Sequence, residues 1–287
     1  MIGPVIGVLF DGFAYGMLLF LLSVGLSVTL GMMNFVNLAH CAFAMLGGYV
    51  TVTLMNSFGW PFFATLPMAF FVTAAASVVF ERVLYRRLYR AGDLDQVLLT
   101  IGLAFVSVAV AAYIYGTVQQ PVQVPSYLRG SVTILGLQLA TYRLFLVAVS
   151  LVITLALVLA LEHTRFGAQV RAAVDNQRMA RGLGINVDGA FAVAFALGSG
   201  LAGLGGALAI EIVGLDPSFA FTYLIYVLII VSVGGLGSIG GSFAAATLIG
   251  ISDVAGKYYV PQLGAFLIYL VMVVLLMWRP AGLFGRR

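Results

Sequence analysis

From residue 12 to residue 80 the chain runs for 69 positions without an Asp, Glu, Lys or Arg. A water-soluble domain must cover its apolar surface with polar groups, and a stretch of this length supplies far too few. The rest of the chain has the same character: 62% of its 287 residues are hydrophobic and 8% are charged, against roughly 25% charged in an ordinary soluble domain. The bilayer is therefore the solvent. A helix bundle in lipid is one cooperative unit whatever its length, so residues 1–287 are expected to form a single all-α, polytopic membrane domain.

The charge-free runs are 12–80, 96–128, 144–161, 189–210, 217–252 and 258–278. Dividing each by the roughly 20 residues of a spanning helix gives eight or nine spans. The first run must hold three, with breaks near Met33 and Asn34 and between residues 56 and 61, where Gly59 and Pro61 punctuate the pattern. The run 217–252 is too long for one helix, and its centre, Gly234-Gly235-Leu236-Gly237-Ser238-Ile239-Gly240-Gly241, is poor helix. It reads either as two spans with a tight turn or as a broken, partly re-entrant segment near 234–241.

Orientation follows from the cations. Eleven of the fourteen Lys and Arg residues lie in 81–95, in 162–188 and in the tail from Arg279, which assigns those segments to the cytoplasm. No cation precedes Arg82, so the N-terminus is expected outside and the C-terminus inside, and nine spans satisfy that parity. The start Met1-Ile2-Gly3-Pro4 has no basic region, so no cleavable signal peptide is expected. Thirteen of the fourteen cations are Arg. Placed between apolar runs they mark membrane orientation rather than a nucleic-acid face. The single cysteine, Cys41, excludes an intrachain disulfide.

Several functions lack their residues. A phosphate-binding Gly-x-x-x-x-Gly-Lys-Ser/Thr loop needs a lysine, and the one lysine, Lys257, is followed by Tyr258. Acidic residues that would couple protons or sodium are essentially missing from the interiors of the expected spans. There is no His-Glu-x-x-His, no cysteine cluster and no pair of carboxylates at helical spacing within a span, so neither an enzyme nor a cofactor or metal site is indicated. Gly235-x-Gly237-x-x-Gly240 matches a dinucleotide fingerprint formally. Within an apolar membrane run it reads instead as close helix approach or an opened backbone.

Two constellations remain. The basic stretch 162–188 is longer than a connection requires. Arg171, Asp175 and Arg178 fall at i, i+4 and i+7 and are expected to share one helix face, while Ala172, Met179 and Leu183 offer a small apolar face. Gly182 and Gly184 stop that helix before Ile185. Such an amphipathic cytoplasmic helix suits docking to a soluble partner, or it is simply a solvated positive loop. The second cluster, Asn34, Asn37 and His40, is polar within an apolar stretch and either bonds across helices or lines a pathway.

At these residues the sequence resembles the permease subunits of the branched-chain amino acid ABC importers, of the type called LivH. The resemblance is carried by Gly25-Leu26-Ser27, Asn37-Leu38-Ala39-His40, Met45-Leu46-Gly47-Gly48-Tyr49, Glu81-Arg82-Val83-Leu84-Tyr85-Arg86, the Arg165-Phe166-Gly167 segment, Gly234-Gly235-Leu236-Gly237-Ser238, and Arg279-Pro280-Ala281-Gly282-Leu283-Phe284-Gly285-Arg286. It implies a bacterial inner-membrane complex with a second, related permease, two cytoplasmic ATP-binding subunits and a periplasmic substrate-binding protein. It further implies that Arg165, Gly167, Arg171, Ala172, Ala173, Asp175, Arg178, Ala180, Gly184, Ile185 and Asn186 form the ATPase-coupling segment, with Ala173 on the docking face. Asn34, Asn37, His40, Ala42, Tyr226, Gly234, Gly235, Gly237 and Ser238 are then expected along the translocation pathway.

The chain departs from the family pattern twice. Cys41 and Ala42 stand where Gly and an acidic residue are common, and Tyr226 stands where Lys is common, which suggests that Ala42 and Tyr226 face each other in place of an ion pair. The resemblance points to branched-chain or other hydrophobic amino acids as substrates, and these departures leave urea, short amides and aromatic acids open. On the residues alone, an ATP-independent carrier or channel also stays open.

Overall fold

The computed structural model describes residues 2–33, 35–88, 91–122, 124–134 and 136–285. The run 12–80 divides as its punctuation requires. Helix α1 (Ile2–Met33) is followed by α2 (His40–Phe58) and α3 (Phe62–Phe80). Gly59, with φ +66°, closes α2, and Pro61 precedes the first turn of α3. A π turn (Glu81–Tyr85) and a last short turn, α4 (Arg86–Leu88), extend α3.

Helix α5 (Asp93–Tyr115) leads to a two-stranded antiparallel hairpin, β1 (Ser131–Ile134) and β2 (Leu137–Ala140), with Ser131 paired to Ala140 and Ile134 to Leu137. Then come α6 (Thr141–His163), two short helices α7 (Arg165–Asp175) and α8 (Gln177–Gly182), and the long α9 (Val187–Val213). The chain ends with α10 (Phe219–Gly234), α11 (Ile239–Tyr259) and α12 (Gly264–Trp278).

Among the described residues seven helices are long and apolar enough to cross a bilayer: α1, α2, α3 with its extension, α5, α6, α9 and α11. Two shorter apolar helices, α10 and α12, accompany them. The run 217–252 is thus two packed helices joined by a four-residue turn.

Helices α1 and α9 form the centre. Leu18 to Leu22 of α1 are buried on every side, the mark of a helix surrounded by others. Helix α1 lies against α9 and α11, and α9 lies against α2 and α3. Glycine permits these approaches. A Cβ on Gly25 would stand 2.0 Å from the carbonyl oxygen of Gly198, and one on Gly47 would stand 2.2 Å from that of Gly203. Small residues let backbones touch where lipid offers no hydrophobic drive between helices. Helices α5 and α6 are instead mostly uncovered and present apolar side chains outward.

The connections sort to two ends of the bundle. At one end Asn56 Nδ2 donates to the Pro121 carbonyl and the Gln120 amide donates to the Leu215 carbonyl, while Asp11 of α1 pairs with Arg143 of α6. At the other end the Val36 amide bonds to Gln96, Arg86 reaches Asp188, and Gly31 meets Gly237. We call these the outer and inner ends. An aromatic cluster, Phe35, Phe43, Tyr85 and Phe195, fastens the inner end, with Tyr85 and Phe195 rings 5.3 Å apart.

Candidate functional site

The inner end carries a platform built by three capping side chains. Thr164 Oγ1 accepts from the Gly167 amide at 3.2 Å and opens α7; Asn176 Oδ1 accepts from Met179 at 3.0 Å and opens α8; Asn186 Oδ1 accepts from Gly189 at 2.9 Å and opens α9. Gly184, with φ +82°, ends α8, and the Ile185 amide returns to the Ala180 carbonyl at 3.0 Å. With the Gly184 amide bonded to the Arg181 carbonyl, also at 3.0 Å, this bond completes a Schellman closure. The stop at Gly182 and Gly184 is therefore as the sequence reading has it.

The single helix face expected for Arg171, Asp175 and Arg178 is not formed. Asn176 is extended, with φ −156° and ψ 97°, and splits the segment into α7 and α8. An asparagine at that point gains more by capping a new helix than by sitting inside one. Arg171 Nη1 donates to the Leu161 carbonyl. The side chain of Asp175 lies outside the described residues.

Burial divides the expected coupling set. Ala173 and Ala180 turn inward with Val187 and Phe191, and Ile185 packs against them. Gly167 is pressed on α6, where a Cβ would meet the Leu161 carbonyl oxygen at 2.0 Å. Ala173 is thus not on an open docking face, because the α7–α8 hairpin needs a small side chain to close on α9. Ala172 is half-buried, and Arg165, Arg178, Gly184 and Asn186 are exposed.

Two large apolar side chains stand out among these cations, Met179 at 66% and Leu183 at 80% exposed. Asp188 accepts from Arg86 at 2.7 Å and from Arg181 at 2.8 Å, which ties the platform to the extension of α3. Between them a cleft of about 380 Å³ is lined by Glu81, Arg82, Arg86, Asn186, Asp188, Gly189 and Ala192.

The residues expected along a pathway do not gather at one place. Asn34 lies outside the described residues. Asn37 and His40 are both buried; Asn37 Oδ1 accepts from the Ala39 amide at 3.1 Å, and His40 Nε2 is 3.0 Å from the Leu22 carbonyl, joining α2 to α1. Ala42 is buried in the central core. Gly234, Gly235, Gly237 and Ser238 make the inner α10–α11 turn. Ser238 Oγ accepts from the Gly241 amide at 3.0 Å, and the Leu283 and Phe284 amides of the C-terminal segment bond to the Val233 and Gly234 carbonyls. Gly235 and Gly237 have φ of +97° and +77°. Tyr226 lines a cavity toward the outer end with Asp11, Tyr15, Arg143, Tyr223 and Asp253, and Ala42 does not line it.

The description "branched-chain amino acid transport system / permease component" names a family that matches residues 8–276. The chain belongs to that family. A branched-chain amino acid permease named BraD, from Pseudomonas aeruginosa, is 24% identical over 97% of this chain and 95% of its own length. A probable permease named LivH from Methanocaldococcus jannaschii is 27% identical over 94% and 90%. The relative named LivM from Salmonella typhimurium is 26% identical over 93% of this chain and 68% of its own. No solved structure matches the chain.

The sequence reading of this permease missed two sets of residues. Gln96 and Thr100, one turn apart on α5, hold the segment between α1 and α2: Gln96 Oε1 accepts from the Val36 amide and Thr100 Oγ1 from the Leu38 amide, both at 3.1 Å. Their signal was a pair of polar side chains at i and i+4 opening an apolar helix. Asp253 is the other. It lies inside α11 and is 1% exposed, with Lys257 Nζ 2.6 Å from its Oδ2. Counting charge-free runs treats every charge as a border, and so hid a carboxylate within a span.

Proposed function

We propose that this chain, as one transmembrane domain, is the permease subunit of an ATP-driven importer in the bacterial inner membrane. It passes branched-chain or other hydrophobic amino acids handed over by a periplasmic binding protein. Its partners are a second, related permease and two cytoplasmic ATP-binding subunits, and it hydrolyses no nucleotide itself. The inner end faces the cytoplasm, with the N-terminus outside and the C-terminus inside, as the cation distribution supports.

The observation that carries this reading is the platform 164–187: a rigid, three-capped, cationic surface from which Met179 and Leu183 project uncovered. Exposed apolar anchors inside a polar rim are the form of a protein interface. An ATPase seated there would move α7 and α8, and through the alanine seam move α9, the helix at the bundle's centre. Membership in a permease family, with relatives named for branched-chain amino acid transport, supports the same reading.

The buried Asp253 favours a second reading, a gradient-driven carrier. Reconstitution separates them. Uptake that requires the ATP-binding subunit, the external binding protein and ATP supports the importer. Gradient-driven uptake by the lone chain in liposomes defeats it.

A further inference from the structure

The cavity toward the outer end measures about 420 Å³, within the range of roughly 300–1,000 Å³ typical of small-molecule pockets. Its walls come from α1, α6, α9, α10 and α11. What sets it apart is Asp253. One carboxylate oxygen takes the Lys257 ammonium at 2.6 Å, and the other, Oδ1, is buried with no hydrogen-bond partner among the described residues. A buried carboxylate oxygen that makes no hydrogen bond is costly, and a donor that enters the cavity recovers that cost.

The surroundings select the donor. Tyr15, Tyr223 and Tyr226 line the same cavity as Asp253. The rings of Tyr223 and Tyr226 are 5.8 Å apart, and Lys257 Nζ stands 5.9 Å from the centroid of Tyr15. An ammonium already occupies one aromatic face, so the ring geometry is of the kind that attracts cations. Arg143, paired with Asp11, lines the same cavity and supplies a positive group. A lipid tail uses neither the carboxylate oxygen nor the paired cation, and a neutral amide meets them only through uncharged hydrogen bonds, which are weaker than charge-assisted ones. A molecule with a primary ammonium and an anionic group on a compact body uses both.

We infer that this cavity is a substrate-reading site inside the permease, where the α-ammonium of the passing amino acid docks on Asp253 Oδ1 among the three tyrosines and its carboxylate turns toward Arg143. The inference rests on the importer reading above and deepens it. Selectivity is then shared between the external binding protein and the membrane subunit, and acids that lack an ammonium are turned away at this point.

The test uses the complete assembly in liposomes. Thr222 is exposed and lines the cavity, and the native Cys41 is fully buried, so a Thr222→Cys variant gives this chain one reactive thiol, followed on its own band after the subunits are separated. The rate of its modification by a neutral thiol reagent is measured with millimolar isobutylammonium and with isobutanol, an uncharged analogue. Isobutylammonium is expected to slow modification several-fold, isobutanol to leave it unchanged, and Asp253→Asn to abolish the protection. No protection by isobutylammonium, or protection that survives Asp253→Asn, overturns the inference. In the same vesicles Asp253→Asn is expected to lower ATP-driven leucine uptake about tenfold or more, the loss of one charge-assisted hydrogen bond, while ATP hydrolysis stimulated by the binding protein stays within about twofold. Where Asp253→Asn does not assemble, protection in the single Thr222→Cys variant decides. If the unsubstituted chain shows no ATP-dependent uptake, the importer reading falls; if it does and Asp253→Asn transports equally well, only the present inference falls.

Discussion

Truncation of Met179 and Leu183 to Ala probes the platform where it has least to do with the fold. Both side chains are largely exposed, Met179 at 66% and Leu183 at 80%, and Ala is a stronger helix former than Met, so α8 loses nothing by the change. Burying a Met or Leu side chain outright is worth roughly 1.5–3 kcal/mol. Scaled by the fraction still open, docking would gain about 1–2 kcal/mol from each, so each truncation should weaken ATPase binding by about 5–30-fold. The two are four residues apart on one surface, so their effects need not add. Affinity of the purified ATP-binding subunit for the permease in nanodiscs, by biolayer interferometry, measures this directly. Unchanged affinity for both variants, with normal thermal stability, would refute the assignment of this surface.

Three further outcomes test the packing. Gly237→Ala puts a Cβ 2.7 Å from the Gly31 Cα at a φ of +77°; the left-handed backbone alone costs about 1–2 kcal/mol. The thermal midpoint should fall by several degrees, and an unchanged midpoint would show that the turn yields freely. Ala173→Glu, in the sealed alanine seam, should open the platform rather than merely uncouple transport, because a buried unpaired charge costs several kcal/mol; protease cleavage within 164–187 should accelerate, and protection equal to the parent would contradict the burial. Gln96→Leu strands the Val36 amide, a loss of about 1–3 kcal/mol, and hydrogen exchange should rise at residues 35–39; exchange at the parent rate would show another partner for that amide.

Helix existence was legible because a span needs a long apolar run and leaves few ways to satisfy the backbone. The three helices of 12–80, the breaks beside Gly59 and Pro61 and the stop at Gly184 follow from residue chemistry alone. The fate of Asn176 does not: an asparagine in a polar helix reads equally as a surface residue and as a cap, and only the amide of Met179 decides. Asp253 was hidden for a different reason. Lys257 at i+4 neutralises it and lets α11 continue to Tyr259, so the charge that looked like the end of a span is part of one. The scatter of Asn37, Ala42, Tyr226 and Gly237 has a third cause. Polar or small residues announce that something lies against them, but which helix that is depends on the tertiary packing.

The central claim is that a cytoplasmic ATPase grips this permease at 164–187. A cysteine at Leu183, on the Cys41-buried background, tests it in intact cells and inside-out vesicles of the assembled transporter. The expected result is a cross-link from residue 183 to the ATP-binding subunit in inside-out vesicles, with no labelling by an impermeant thiol reagent from the cell exterior. Labelling from the exterior, or a residue 183 that stays free and uncross-linked beside a bound ATPase, would contradict the account.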